Sequence, residues 1–441
     1  YLTGNPQITF FKIIYRRHTN FSMETISQTF NADVQFGKKT SVTISRNGDL
    51  VNDMFLEIKL PILKQIQTTD STDSTYVSWT NGIGNALIKS VSIEIGGQEI
   101  DKHYGEWLDI WSELNLTDSK KKNYNKMVGN NYPSGDFSPE LVYTYATGTT
   151  KLYVPLRFWF NRNPGLALPL IALQYHEVKI NMEVEESKYL IRNDNGHINA
   201  PIMVDDNGED KPLEIADCEL LINYIYLDTD ERRRFTQVSH EYLIEQIQYL
   251  GSNNIDANSS VHTINLNFNH PVKSLHWILQ DKTYLAYDSN AINIDNKELD
   301  SGNQKLRYSA LAEFNKNNDT FKAGKIQLNG HDRMSEKDAD YFRLVQNNKH
   351  MQGSPDKYIY TYSFALNPSE HQPSGTCNFS RVDSAKLYLT FNTDSASTNT
   401  KTDGLTTYTG HISNDVTARV YAVNYNVLRI MSGMGGVSYS N

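Results

Sequence analysis

Two cysteines in 441 residues, Cys218 and Cys377, each sit alone in an apolar, β-like context. That scarcity excludes a disulfide framework and a cysteine-based zinc site, and it points to a reducing compartment. Long apolar runs are missing as well. The stretch from Gly165 to Tyr175 contains Pro169 and is far short of the roughly 18–20 residues that cross a bilayer. No basic start leads into an apolar signal region. Positive charge is in the minority: 42 Lys and Arg against 51 Asp and Glu leave a formal charge of −9. Proteins that coat nucleic acid neutralise phosphates with a basic surface, so genome packaging is disfavoured and no direct genome binding is expected.

Catalytic signatures are equally sparse. His176-Glu177 and His240-Glu241 do not extend to the H-E-x-x-H that sets two imidazoles on one helical face, and both histidines read as structural. Gly433-Met434-Gly435-Gly436 lacks the Lys-Ser/Thr of a phosphate loop and reads as a flexible tail. Arg16-Arg17, Lys120-Lys121-Lys122 and Arg232-Arg233-Arg234 are short basic groups among acids and polar residues, expected to be solvated or interfacial. Asp228, Asp230 and Glu231 are expected to pair with the arginines beside them rather than form a glycosidase pair. No catalytic residue, cofactor or metal ligand is implied.

What is present is a globular mixture, 39% hydrophobic and 11% aromatic, too apolar for a disordered chain. Typical lengths suit about three domains, or two β-sandwiches of roughly 200–250 residues. Period-two alternation marks half-buried antiparallel strands: Val178, Ile180, Met182 and Val184; Met54, Leu56, Ile58 and Leu60; Ile264, Leu266 and Phe268. Polar segments near 66–85, 123–150, 186–213, 281–322 and 393–414 read as long surface loops.

The chain also matches itself. Val42, Ile44, Asn47, Phe55 and Leu56 recur 222 positions on as Ile264, Leu266, Asn269, Trp277 and Ile278. Ile93, Ile95, Gly97 and Glu99 recur 233 on, Phe158 and Asn161 recur 206 on, and Val178 to Val184 recur 207 on. Asn223, Tyr224 and Leu227 recur 201 on. Blocks in one order with offsets that change only across loops indicate a duplicated unit of eight or so strands. Val42, Ile93, Ile180, Ile264, Ile326 and Leu387 are the predicted core. Gly96-Gly97 and Asn329-Gly330 signal matching turns. Each turn precedes the one helix-like pattern of its half: Trp107, Trp111 and Leu114, then Tyr341, Phe342 and Val345. Eight-stranded, loop-rich antiparallel units suit a jelly roll better than a propeller, although composition does not separate it from other sandwiches.

Seven segments carry a resemblance: YLTGNPQITFFKIIYRRHTNF (1–21), SRNGDL (45–50), GGQEIDKHY (96–104), PGLALPLIALQYHEVK (164–179), HEYLIEQ (240–246), QPSGTCNFSRVDSAKL (372–387) and NYNVLRIMSGMGG (424–436). Together they resemble the major capsid proteins of nucleocytoplasmic large DNA viruses, nearest the algal phycodnavirus and chlorovirus branch. The resemblance implies an all-β double jelly roll: two tandem eight-stranded antiparallel jelly rolls, with short helices in loops. It divides the chain into an N-terminal inner segment (1–20), a first jelly roll (21–230) and a second with a C-terminal tail (236–441). It also implies a homotrimeric, pseudo-hexagonal capsomer in an icosahedral virion shell, assembled in the host cytoplasm. Neighbouring capsomers, minor capsid proteins and an internal viral membrane are the implied partners. Asn5, Phe10, Phe11, Tyr15, Arg16 and Arg17 are then the expected inner-face contacts, and a short arm is expected ahead of Tyr1. Five sequons stand at Asn20, Asn115, Asn258, Asn318 and Asn378; Asn115, Asn258 and Asn318 are weak candidates for glycosylation, and Asn378 falls at the start of an expected strand. A carbohydrate-binding jelly-roll module is the competing reading from another class, since jelly rolls also serve as lectins; a glycan-processing enzyme is the third.

Overall fold

The structure is a computed structural model that describes residues 19–61, 63, 66–67, 74–75, 77–130, 150–193, 202–204, 210–257, 259–282, 305–308, 319–392, 399–400, 406–407, 412 and 415–439. Eight principal strands build the first half: β1 (Phe21–Thr29), β2 (Lys39–Thr43), β3 (Leu50–Leu60), β4 (Ile88–Ile95), β5 (Gln98–His103), β6 (Thr150–Pro155), β7 (Val178–Val184) and β8 (Asp217–Leu227). They form two antiparallel sheets, β1–β8–β3–β6 and β2–β7–β4–β5. The alternation seen in sequence is the cause: β7 buries Val178, Ile180, Met182 and Val184 and turns Lys179, Asn181 and Glu183 outward.

The second half repeats the plan with β9 (His240–Ile255), β10 (Val261–Asn265), β11 (Pro271–Asp281), β12 (Ala323–Leu328), β13 (His331–Asp332), β14 (Tyr360–Ser363), β15 (Ala385–Thr390) and β16 (Val416–Met431). Its sheets are β9–β16–β11–β14 and β10–β15–β12–β13, the same order with every strand number raised by eight. The interleaving of strands between facing sheets is that of a jelly roll, made twice. All six predicted core residues are at most 1% exposed. The two predicted turns are also present: Gly96 and Gly97 have φ of 58° and 86°, Asn329 and Gly330 of 51° and 79°. Two successive positive φ values are what a tight hairpin turn of the favoured twist demands, and Gly and Asn reach them at least cost.

The self-match holds in one sheet and slips in the other. Val42 faces Ile180 and Ile180 faces Ile93; Ile264 faces Leu387 and Leu387 faces Ile326, as the offsets require. In the other pair of sheets Leu56 faces Leu220, whereas Trp277 faces Val420. Leu56 and Leu220 lie in the first core, Trp277 and Val420 in the second. Trp277 is therefore the counterpart of Leu56, not of Phe55, and the true offsets there are one residue smaller than the matches suggest. A one-residue slip exchanges the faces of a strand.

Helices α1 (Ile83–Leu87), α2 (Gly105–Asn115), α3 (Asp118–Val128), α4 (Trp159–Arg162), α5 (Thr229–Gln237) and α6 (Gln346–His350) fill the connections. Helix α2 is the predicted one. Helix α3 is not: it begins before, and runs into, a segment read as loop. In the second half the apolar stripe is a π-helical turn, Tyr341–Val345, leading into α6; Phe342 is buried, but Val345 is 49% exposed, so it is no part of the core. The C-terminal glycines are not a loose tail. Met434–Val437 forms β17, which pairs with Leu428–Met431 at the end of β16.

Candidate functional site: the sandwich junction and the open faces

The outer face of sheet β9–β16–β11–β14 is turned onto the first sandwich. Ala418, Val420 and Ala422 of β16 fill the second core, while Tyr421 and Val423, one residue out of phase, join the first. Trp107 of α2 lies against the rings of Tyr421 and His276, with centroids 5.6 and 5.7 Å apart. Tyr249 of β9 stacks on Tyr421 at 4.9 Å and meets Tyr104 edge-on at 4.8 Å. The backbone N–H of Ile247 donates to Asp101 Oδ1 at 3.0 Å, and the Gln246 side chain donates to the Ile100 carbonyl. Leu306 and Tyr308 thread the junction and are buried, although 281–322 reads as a surface loop. Desolvating this much aromatic surface is strongly favourable at roughly 25 cal/mol per Å².

Charge is buried here in pairs. Burial acts to raise the Glu106 carboxyl, but Lys305 and Arg419 outweigh it and hold it below its ordinary 4.5. Arg419 approaches Glu106 at 3.8 Å and also donates to Gln280. Tyr308 Oη and Lys357 Nζ both donate to Asp109 Oδ2, at 2.7 and 2.6 Å. Lys121, in a group expected to be solvated or interfacial, is buried and bridges Glu113 and Asp356, 2.7 Å from each. Across the junction Arg162 and Lys273 hold Glu245, at 2.7 and 2.5 Å. Such pairs cost desolvation, yet removing one partner leaves an uncompensated charge, so together they fix one relative placement of the sandwiches. His276 is fully buried between Ser274 Oγ (2.9 Å) and Thr361 Oγ1 (3.0 Å). Burial, with Lys273 nearby, drives its imidazole down to about 3, so it is neutral at pH 7.

Strand β17 closes the far side of the junction. Gly435 N donates to His176 Nδ1 at 3.1 Å, Tyr175 N donates to the Gly433 carbonyl at 3.0 Å, and Gly435 lies on Leu173 and Ile95. His176 is thus structural, as expected, but it serves the clasp. His240 is likewise structural, 2.8 Å from the Phe235 carbonyl. Arg232 pairs with Asp49 at 3.0 Å rather than with the acids beside it, while Asp228 caps α5 by accepting from Thr229 N.

Asn5, Phe10, Phe11, Tyr15, Arg16 and Arg17 lie outside the described residues, as do Asn258 and Asn318. Asn115 is half-buried at the end of α2, its amide donating to the Trp111 carbonyl at 3.0 Å. Among the described residues no group of three or more His, Cys, Asp or Glu could hold a metal ion, and no helix is long and apolar enough to cross a membrane. Sequence reading missed the junction. Its signal was the run Val420-Tyr421-Ala422-Val423, apolar without alternation, which marks a strand buried on both faces.

Comparison with known proteins decides what such a body is. Residues 9–228 match the family model described as major capsid protein N-terminus, and residues 231–436 match that of the large eukaryotic DNA virus major capsid protein. The chain belongs to the large eukaryotic DNA virus major capsid proteins. It is 44% identical to the major capsid protein of Pyramimonas orientalis virus over 465 aligned positions, covering all of this chain and 96% of that one. It is 40% identical to the major capsid protein of Paramecium bursaria Chlorella virus 1, again over 100% of this chain and 96% of the other. A chain of the quasi-atomic PBCV-1 virus capsid superposes with a TM-score of 0.75 and 36% identity, covering 98% of this chain and 100% of that one. The Faustovirus major capsid protein, 13% identical, shares the fold alone with a TM-score of 0.70. The double jelly roll is thus the fold of the family. A major capsid protein is a structural protein of the virion, which sets aside both the sugar-binding and the enzymatic readings.

Proposed function

We propose that this major capsid protein forms trimers whose six jelly rolls surround one axis, and that these pseudo-hexagonal capsomers tile an icosahedral shell beside neighbouring capsomers. The observation that carries this reading is the junction: two sandwiches of one plan, locked by buried rings and ion pairs into a single body. Three such bodies supply six similar units to one ring, and a closed ring is the usual economy of symmetric assembly. Residues 21–230 and 236–441 are taken as the two units. Residues 1–20 are taken as the inner segment, with Asn5, Phe10, Phe11, Tyr15, Arg16 and Arg17 meeting minor capsid proteins or the internal membrane. Assembly in the host cytoplasm follows from the same reading, and Asn115, Asn258 and Asn318 remain its candidate glycan sites.

Sedimentation of the purified chain, followed by negative-stain imaging, tests the proposal. A stable trimer that packs into hexagonal arrays is the expected result. A folded monomer at micromolar concentration that binds a glycan array saturably would overturn it.

A further inference from the structure

Asn329-Gly330 marks a turn in sequence and in structure, and that turn has a chemistry of its own. Five Asn-Gly pairs occur in the chain, at Asn47, Asn81, Asn195, Asn207 and Asn329. Glycine after asparagine leaves the next backbone nitrogen without side-chain shielding, so that nitrogen can reach the asparagine Cγ. Asn47, Asn81 and Asn329 lie among the described residues, and they differ in what holds each reacting group.

At Asn329 each group is set for reaction. The two-residue hairpin pairs Leu328 with His331 and leaves the Gly330 N–H, between them, outside the ladder. Both turn residues are exposed, and a Cβ built on Gly330 meets no described atom within 4 Å. Asn329 Oδ1 accepts two backbone N–H bonds, from Asp383 at 2.9 Å and from Ser384 at 3.2 Å. Paired amide donors on one oxygen are the arrangement that stabilises a developing oxyanion. Among the described residues Asn329 Nδ2 has no partner to retain it. The other two pairs lack this combination. Gly82 N donates to the Gly129 carbonyl at 3.0 Å and Asn81 Nδ2 to Asn130 Oδ1 at 2.7 Å, so nucleophile and leaving group are both committed. Asn47 is exposed, but Gly48 is pressed against Tyr224, and no described backbone N–H donates to Asn47 Oδ1.

We propose that Asn329 is a site of spontaneous deamidation, in which the hairpin supplies the nucleophile and the backbone of Asp383 and Ser384 supports the oxyanion. Hydroxide takes the Gly330 N–H proton, and the nitrogen attacks Asn329 Cγ. The C–N bond forms and an electron pair moves onto Oδ1; its return expels Nδ2, which leaves as ammonia with a proton returned by water. Water then opens the cyclic imide. Attack at Cγ gives aspartate, and attack at the backbone carbonyl gives isoaspartate, with one more methylene in the main chain. The aspartate keeps the turn, because its carboxylate accepts the same two N–H groups in stronger, charge-assisted bonds. The isoaspartate lengthens a two-residue turn and disturbs the Leu328–His331 register that the turn fixes. Either product adds a negative charge beside Asp383. The proposal is independent of the trimer reading.

Peptide mass spectrometry of the full chain, held folded at pH 8, tests this, with the guanidinium-unfolded chain as reference. In the folded protein Asn329 should gain one mass unit at least about fivefold faster than Asn47, since only Asn329 has the two donors, and Asn81 should stay an amide. In guanidinium, where no turn survives, the three rates should converge. An Asn329 that stays an amide in the folded chain, or one that reacts no faster than Asn47, overturns the proposal. A fivefold ratio that persists in guanidinium overturns it too, because sequence alone then sets the rate. Asn329→Asp should match the wild type in thermal unfolding; a lower midpoint overturns the claim that the turn accommodates the aspartate product.

Discussion

Acid should loosen the junction through His276. Its imidazole has both nitrogens engaged, by Ser274 and Thr361, and the ring packs near Trp107. Burial first, then the positive charge of Lys273, lowers it from 6.5 to about 3. Glu245, the nearest carboxylate to Lys273, is already committed to that lysine and to Arg162. The sign follows directly. Above pH 6.5 the residue is neutral folded or unfolded and has no effect. As pH falls from 6.5 toward 3 the unfolded chain takes up a proton that the folded chain refuses, so stability is lost across that window. At pH 5 the loss is about 2 kcal/mol, and it reaches about 4 kcal/mol at pH 3. Urea unfolding at pH 7.5 and pH 5, at one fixed chain concentration, measures it. His276→Gln keeps a donor and an acceptor but cannot titrate. Its packing defect is the same at both pH values, so it cancels in the difference. The wild type should lose about 2 kcal/mol more than the variant between the two pH values. Equal losses would refute the argument.

Three further outcomes follow from the geometry. Gly435→Val places a Cβ 2.6 Å from Leu173 Cδ2 and 3.3 Å from Ile95; this overpacking should cost about 1–3 kcal/mol and release β17, seen as new limited-proteolysis cleavage after Met431. Tyr308→Phe removes a 2.7 Å bond to a buried carboxylate and leaves Lys357 as the remaining partner of Asp109 Oδ2; thermal unfolding should report a loss of about 1–3 kcal/mol. Burial, followed by Asp217 and Glu219, pushes the Cys218 thiol up to about 12, so in the native protein at pH 8 it should react with a disulfide reagent far more slowly than in urea.

Much of this was legible in the sequence, for a simple reason. Alternation along strands such as Val178–Val184 is set by one buried face, and a duplicated unit repeats that alternation, so the core residues and both hairpin turns could be named. Alternation is also where the reading slipped. Around Trp277 both faces of the strand are buried, so the pattern no longer tells inside from outside, and Trp277 was matched to Phe55 instead of Leu56. The junction was hidden for the same cause. Tyr421 and Val423 face away from their own core, and nothing local says that another sandwich waits there. Lys121 and Arg232 show a second limit: their partners, Asp356 and Asp49, lie about two hundred residues away in sequence, beyond any neighbour rule. The resemblance supplied what periodicity did not, the choice of a jelly roll over other sandwiches.

Cryo-electron microscopy of the purified chain in solution tests the central claim most directly, that two locked sandwiches make this chain one third of a capsomer ring. The account predicts a three-fold particle with six jelly rolls around its axis and the Tyr249–Tyr421–His276 row packed against the first sandwich within each chain. A particle of isolated chains, or one whose sandwiches swing independently about residues 228–240, would contradict it.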